Sequence, residues 1–162
     1  MVKRTHISGY EKSARFYDLF DQKNNIEFFY HYASQAREIL DIGAGTGRIA
    51  LPIAERGINV VCIEPSLAMR RELEIKLDKQ PDLLPYIQLI ASKASSFNLN
   101  RTFHCAFLSG CFDHFLDDEE RIDSLLTIQR HLDPKAKLVF DVFLGLMEDS
   151  TLSPAGKVKI GN

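Results

Sequence analysis

The segment Gly43-Ala44-Gly45-Thr46-Gly47 sits where an apolar run, Ile39-Leu40-Asp41-Ile42, gives way to a helix-forming one that begins Arg48-Ile49-Ala50. Glycine lets a chain turn sharply and bring backbone close to a ligand, and a strand-to-helix turn leaves N–H groups at a helix N-terminus, where a negative group is favoured. The second piece of chemistry is Glu64, which closes the next apolar run, Asn59 to Ile63. An acid about 20 residues beyond the first glycine, at the end of a second strand, is placed to accept hydrogen bonds from a ribose diol. Glycine turns alone are common. The strand before, the helix after and the spaced acid together point to a nucleotide-type cofactor.

A dinucleotide fingerprint would place another glycine three positions after Gly45, for close helix packing and approach to a pyrophosphate. Arg48 occupies that position, which disfavours a nicotinamide oxidoreductase. The three cysteines, Cys62, Cys105 and Cys111, are odd in number and lack Cys-x-x-Cys spacing, so a disulfide framework is not expected. Cys62 and Cys105 lie inside predicted strands and read as small buried hydrophobes. Cys111, Asp113 and His114 have no partner pair elsewhere with metal-ligand spacing, and no metal is expected.

The elements that must position these groups follow from periodicity and punctuation. Two N-terminal helices are predicted over about 11–21 and 24–38. A first strand covers 38–42, and the helix after the glycines runs to about 56, with Pro52 as a slight kink and Gly57 as its stop. The second strand is Asn59 to Ile63. Ser66 is a plausible N-cap for a helix directing Leu67, Met69, Leu73 and Leu77 toward the sheet. Pro81 and Pro85 bracket a loop before the third strand, Tyr86 to Ile90, and the fourth is Phe103 to Leu108. The following helix opens with acids at 117–120 and closes with Arg130-His131, an order that suits the helix dipole. Pro134 stops it, and Lys137 to Phe143 is the fifth strand.

Strands alternating with helices at this rhythm specify an α/β fold with a doubly wound, mostly parallel sheet and helices on both faces. In such sheets the ligand lies outside the carboxyl ends of the strands, where strand order reverses. That topology selects Gly43 to Gly47, Glu64 to Met69, Ser92 to Ser95 and Ser109 to His114. A chain of 162 residues with 45% hydrophobic and 26% charged residues suits a single domain over 1–162: N-terminal helices to 37, a core over 38–143 and a short tail over 144–162. A net charge of -2 gives no general attraction to nucleic acid or anionic membrane. No apolar stretch reaches bilayer length and no signal-type core follows Met1, so a cytoplasmic protein is expected.

The segments "LDIGAGTGRIALPIAERG" and "VVCIEPSLAMR" resemble the glycine motif and second strand of class I S-adenosylmethionine-dependent methyltransferases. "FLSGCFDHFLDDEERIDSLLTIQRHLDPKAKLVFDVF" is similar to that family's fourth strand, following helix and fifth strand, and the resemblance covers roughly residues 10 to 143. It implies a Rossmann-like sheet of order 3-2-1-4-5, with S-adenosylmethionine as cofactor and a small molecule as acceptor. By resemblance Gly43, Ala44 and Gly45, with Gly47 in the same turn, lie against the methionine part of the cofactor. Glu64 binds the ribose, and Pro65 and Met69 pack beside the adenine. Met69 reads equally as a core residue of its helix, and Glu64 has the alternative of a solvated strand-end acid.

Tyr17 and Asp18 resemble a "YD" pair in an N-terminal helix that folds over the cofactor, with plain packing the alternative for Tyr17. Ser109 and Gly110 match the stretch lining the methyl-transfer position, and His114 matches a frequent histidine a few residues on, with a helix-flanking structural role the favoured alternative to catalysis. No catalytic residue is assigned.

Three departures from the family stand out. The acid that meets the adenine amino group after the third strand is replaced, on aligning "LIASKASSFNL", by Lys93, leaving Ser92 or the backbone of Ala94 as acceptors. The fourth strand begins Phe103-His104 where relatives often have Phe-Asp. The family's last two strands are missing or reduced, which leaves the apolar "LVFDVFL" as an edge open to pairing with another chain. A short strand at Lys157 to Ile160, a homodimer through that edge, or a longer parent protein would each resolve this. The resulting expectation is a methyltransferase acting on a small molecule, with a catalytically reduced S-adenosylmethionine-binding protein or partner subunit as the alternative. Neither the motif nor the basic patch of a nucleic-acid methylase is found, and protein methylation stays open.

Overall fold

The computed structural model describes residues 10–20 and 25–142. Its frame is a sheet of five strands, β1 (Glu38–Ile42), β2 (Asn59–Ile63), β3 (Ile87–Ile90), β4 (Phe103–Leu108) and β5 (Leu132–Phe140), in the order β3-β2-β1-β4-β5. Every neighbouring pair is parallel. Parallel strands need crossover connections, and these place helices on both faces, so the central strands must be apolar along nearly their whole length. In β1, β2 and β4 the residues are accordingly almost all buried.

Alternate residues of one strand feed opposite layers. Ile39, Val60 and Phe107 pack with Phe29, Ile53 and Leu73, from α2 (Ile26–Ala33), α3 (Ala50–Ala54) and α4 (Leu67–Lys79). Leu40, Val61 and Leu108 pack on the other face with Phe97, Phe115 and Ile128, the last from α5 (Asp118–Arg130).

The helix starts follow the sequence closely. Ser66 Oγ accepts from the Met69 N–H at 3.3 Å to cap α4, and Asp117 Oδ1 accepts from the Glu120 N–H at 2.8 Å to cap α5. Each such cap contributes about 1 kcal/mol. Gly57, at φ +78, ends the turn beyond α3 as expected. Pro52 has no kink to make, because it falls in the first turn of α3, where a missing N–H costs least.

Two regions depart from the expected boundaries. The N-terminal segment forms a 3-10 turn at Ala14–Phe16 that continues into α1 (Tyr17–Phe20), and α2 stops at Ala33 because the chain must turn before entering β1. β5 begins at Leu132, not at Lys137: Leu132 pairs with Phe103, then Cys105 pairs with Lys137, so the intervening residues bulge out of register. Pro134 and Lys135, the latter at φ +73, read as a helix stop in sequence. They are tolerated because β5 pairs on one side only among the described residues, and an edge strand does not need every N–H. The strand expected at Lys157 to Ile160 lies outside the described residues. No helix among the described residues is long and apolar enough to cross a membrane.

Candidate functional site

Strand order reverses between β1 and β4, and a cavity of about 450 Å³ opens there at the carboxyl ends of the strands. Gly43, Ala44 and Gly45 border it after β1, Glu64, Pro65 and Met69 after β2, Lys93 and Ala94 after β3, and Ser109 and Gly110 after β4. Tyr17 and His114 also border it. Gly47 is not part of the wall. Its φ is +86, and a Cβ there would lie 2.4 Å from Leu73 Cδ1 and 3.1 Å from Leu51 Cγ, so this glycine lets α3 and α4 pack together.

The glycine turn is stitched to the end of β2. The Gly43 and Ala44 N–H groups donate to the Ile63 carbonyl at 2.8 and 3.2 Å, and the Gly45 N–H donates to Glu64 Oε2 at 2.9 Å. Glu64 Oε1 accepts from the Ser66 N–H at 2.8 Å. The three amides that the resemblance would turn toward a ligand carboxylate are therefore already engaged within the protein. Glu64 is 6% exposed, which rules out a solvated strand-end acid. Burial pushes its carboxyl above the ordinary value, opposed by the N–H groups of Ser66 and Gly45 and by the charges of Arg70 and His114. Each carboxylate oxygen has two lone pairs, so Glu64 can still accept from hydroxyl donors in the cavity.

At the other end the bonds run from side chain to side chain. Ser109 Oγ donates to Asp141 Oδ2 at 2.7 Å and accepts from Arg48 Nη2 at 3.0 Å, while Arg48 Nη1 donates to Asn25 Oδ1 at 2.6 Å. The Gly110 N–H donates to Asp141 Oδ1. The N-terminal segment is latched above: Asp18 accepts from Thr46 Oγ1 and pairs with Lys76 Nζ, each at 2.6 Å. Burial alone would raise the Asp18 carboxyl, but its bonds to Lys76 and Thr46 outweigh this and hold it below the ordinary value. The latch brings Tyr17 against Tyr10, with ring centroids 5.8 Å apart, and the Tyr10 hydroxyl lies 3.1 Å from His114 Nε2.

Several wall residues lie outside the stretches selected from the sequence, among them Tyr10, Asp41 and Arg48. Asp41 is 2% exposed, and its Oδ2 has no hydrogen-bond partner among the described residues. Burial raises its carboxyl to about 7, with Arg48 lowering it and Glu64 adding to the rise. The available signal was an acid inside an otherwise apolar strand run. Cys111 packs on Gly43, whose φ is +70; a Cβ on that glycine would lie 2.5 Å from the Cys111 sulfur. Burial first, then the nearby carboxylates, pushes the Cys111 thiol up to about 12, so it is not a nucleophile at neutral pH. Met69 is 3% exposed on α4, as a core residue would be, and also borders the cavity.

The wall thus offers a buried carboxylate with spare acceptor capacity, Glu64, and a buried carboxyl oxygen, Asp41 Oδ2, with no partner among the described residues. Such a set of acceptors suits a ligand with hydroxyl groups and a cationic centre. A parallel sheet of this order with a glycine turn after β1 and an acid after β2 defines a Rossmann-like nucleotide-cofactor fold. The family model for the methyltransferase domain matches residues 39–135, and the chain belongs to that family.

An uncharacterized methyltransferase of Alkaliphilus oremlandii is 34% identical over 100 residues, which cover 62% of this chain and 43% of the relative. Among solved structures, the glycopeptide N-methyltransferase MtfA complexed with S-adenosyl-L-methionine superposes with a TM-score of 0.64 at 24% identity, covering 70% of this chain and 50% of that one. The sugar N-methyltransferase KedS8 from Streptoalloteichus gives 0.66 at 24% identity, covering 80% and 52%. The chain spans about half the length of these relatives.

Proposed function

We propose that the protein binds S-adenosylmethionine in this cavity and transfers its methyl group to a small-molecule acceptor. The observation that carries this reading is Glu64, buried at the end of β2 with each oxygen fixed by a backbone N–H and with capacity left for a ribose diol. The complex of MtfA with S-adenosyl-L-methionine supports the choice of cofactor. A glycopeptide and a sugar as the named N-methylation targets of structural relatives support a nitrogen-bearing small molecule as acceptor.

The sulfonium supplies a methyl group already activated for in-line displacement. What remains for the protein is alignment and exclusion of water, and alignment of this kind is worth about 7–11 kcal/mol. Glu64 would accept from the ribose hydroxyls. Pro65, Met69 and Ala94 provide apolar walls for the base, with Lys93 at the rim. Asp41 Oδ2 offers a carboxylate oxygen to the cationic end. Tyr10 and Tyr17 border the cavity and would cover the bound cofactor, held by the Asp18 latch to Thr46 and Lys76. Ser109, Gly110 and His114 border the space left for an acceptor. A base is required only for acceptors that must lose a proton before attack. His114 lies at that end, with its Nε2 3.1 Å from the Tyr10 hydroxyl.

The test is product analysis by mass spectrometry after incubation with S-adenosylmethionine and a panel of amino sugars, aliphatic amines and phenols. Acceptor-dependent formation of S-adenosylhomocysteine is the expected result. Saturable binding without turnover on any acceptor would favour the cofactor-binding partner subunit. Absence of binding would overturn both.

A further inference from the structure

We propose that Glu120 makes the acceptor end of the cavity a subsite for an organic cation, so that the protein methylates an amine carried on an apolar body and rejects anionic acceptors. This inference deepens the methyl-transfer reading above and rests on it.

Glu120 lies in the first turn of α5 and borders the cavity, as do His114 and Leu116 from the segment after β4. Its Oε2 accepts from the Leu116 N–H at 3.1 Å, and its own N–H donates to Asp117 Oδ1 at 2.8 Å. The helix start and the loop are thereby fixed to each other, with the carboxylate between them. The next residue, Arg121, pairs with Asp118 at 2.9 Å, and Glu120 makes no ion pair among the described residues. A carboxylate has about four acceptor sites, so capacity remains for an N–H donor in the cavity. Leu116 is 68% exposed, an apolar side chain that the fold leaves uncovered beside the same cavity. A carboxylate and an uncovered leucine joined by one hydrogen bond fit a ligand with an ammonium group next to a hydrocarbon face.

The surrounding charge points the same way. The Cys111 thiol, on the same segment after β4, is pushed up to about 12 by burial first and then by Glu64, Asp41, Asp141 and Glu120, so four carboxyl groups act on this region. Arg48 and Lys93 also border the cavity, but Arg48 is set against Asp41, and Lys93 follows β3, three strands from β4. Among the described residues the acids do not gather into a group of three that could hold a metal ion. A negative field spread over a partly apolar wall suits an organic cation.

Methyl transfer gains from this placement. A protonated amine first releases one proton to solvent. Its lone pair then forms the N–C bond as the S–C bond breaks, the sulfonium leaves as a neutral thioether, and the positive charge passes to the nitrogen. Glu120 stands where that charge arrives, and a carboxylate already in place favours it. A phenolate or carboxylate acceptor would instead bring negative charge to four carboxyl groups.

The experiment is calorimetric titration of the protein saturated with S-adenosylhomocysteine, using phenethylamine, phenethyl alcohol and phenylacetate as cationic, neutral and anionic probes of similar shape. The wild type is expected to bind the amine roughly five- to twentyfold more tightly than the alcohol, between the worth of an exposed ion pair and that of a charged hydrogen bond, and to bind phenylacetate most weakly. Glu120→Gln keeps an oxygen for the Leu116 N–H and loses the charge. It is expected to bind the amine no better than the alcohol, with S-adenosylhomocysteine affinity and the thermal midpoint unchanged. Amine preference retained in Glu120→Gln would overturn the proposal. If that variant does not fold, the wild-type preference is measured against added salt: a decline supports the proposal, and a preference that salt leaves unchanged overturns it. A wild type that binds amine and alcohol equally, or binds none of the probes, would also overturn it while leaving the cofactor reading intact. A wild type that does not bind S-adenosylhomocysteine would remove that reading and this inference with it.

Discussion

At the β1–β2 end of the cavity, Glu64 is held by the backbone N–H groups of Gly45 and Ser66. At the β4 end, Arg48, Ser109 and Asp141 join side chain to side chain, and Tyr10 reaches His114 across 104 residues of sequence. Backbone anchors are fixed by strand pairing and barely depend on rotamers, so they suit the part of a ligand that never changes. Side-chain networks can rearrange at low cost, which suits a part that varies, such as the acceptor. The same division explains why one end is built from adjacent sequence and the other is assembled from distant segments.

Removing Glu64 should break the rigid end most severely. Glu64→Ala deletes the diol acceptor and leaves two buried N–H groups unpaired, and a hydrogen bond to a charged group is worth about 1.5–3 kcal/mol. Cofactor affinity should drop by about a hundredfold or more in calorimetry, with a lower thermal midpoint.

A pH effect comes next. The Asp41 carboxyl lies at about 7 in the folded protein against an ordinary 3.8. Between those values the folded state holds a proton that the unfolded chain has released, so stability falls as pH rises through roughly 4 to 7. At about 1.4 kcal/mol per unit this amounts to a few kcal/mol, and Asp41→Asn should flatten that part of a denaturant-midpoint profile.

Gly43→Ala must keep a φ of +70 and push the Cys111 side chain aside. A cost of about 1–2 kcal/mol is expected from the backbone alone, seen in chemical denaturation together with weaker cofactor binding. The smallest effect belongs to the latch. Asp18→Asn loses a half-exposed ion pair to Lys76 and should cost at most about 1 kcal/mol. Its signature is a few-fold faster cofactor release in stopped-flow, because Tyr10 and Tyr17 are less firmly held. An Asp18→Asn effect on release as large as that of Glu64→Ala would contradict the division between a rigid end and an adaptable one.

The contrast also governs what could be read from the sequence. β1, β2, β4, the cap Ser66, and the pair of glycine turn and Glu64 were legible because each depends on neighbours within a few residues or on one strand crossover. β5 was misplaced at its start because Pro134 and Lys135 look like a stop, and only the pairing of Leu132 with Phe103 shows that the strand begins before them. Gly47 was grouped with the cofactor turn, whereas the space it leaves is filled by Leu51 and Leu73. Arg48 was noticed only as a missing glycine. Its partners Asn25 and Ser109 are distant in sequence and meet it only through the fold.

The most direct test of the central claim is a calorimetric titration of the wild type with S-adenosylhomocysteine in the presence and absence of NAD. Saturable one-site binding that NAD does not displace, and that Glu64→Ala weakens by about a hundredfold, is the predicted result. Absence of S-adenosylhomocysteine binding, or displacement by NAD, would contradict the assignment of this cavity to the sulfonium cofactor.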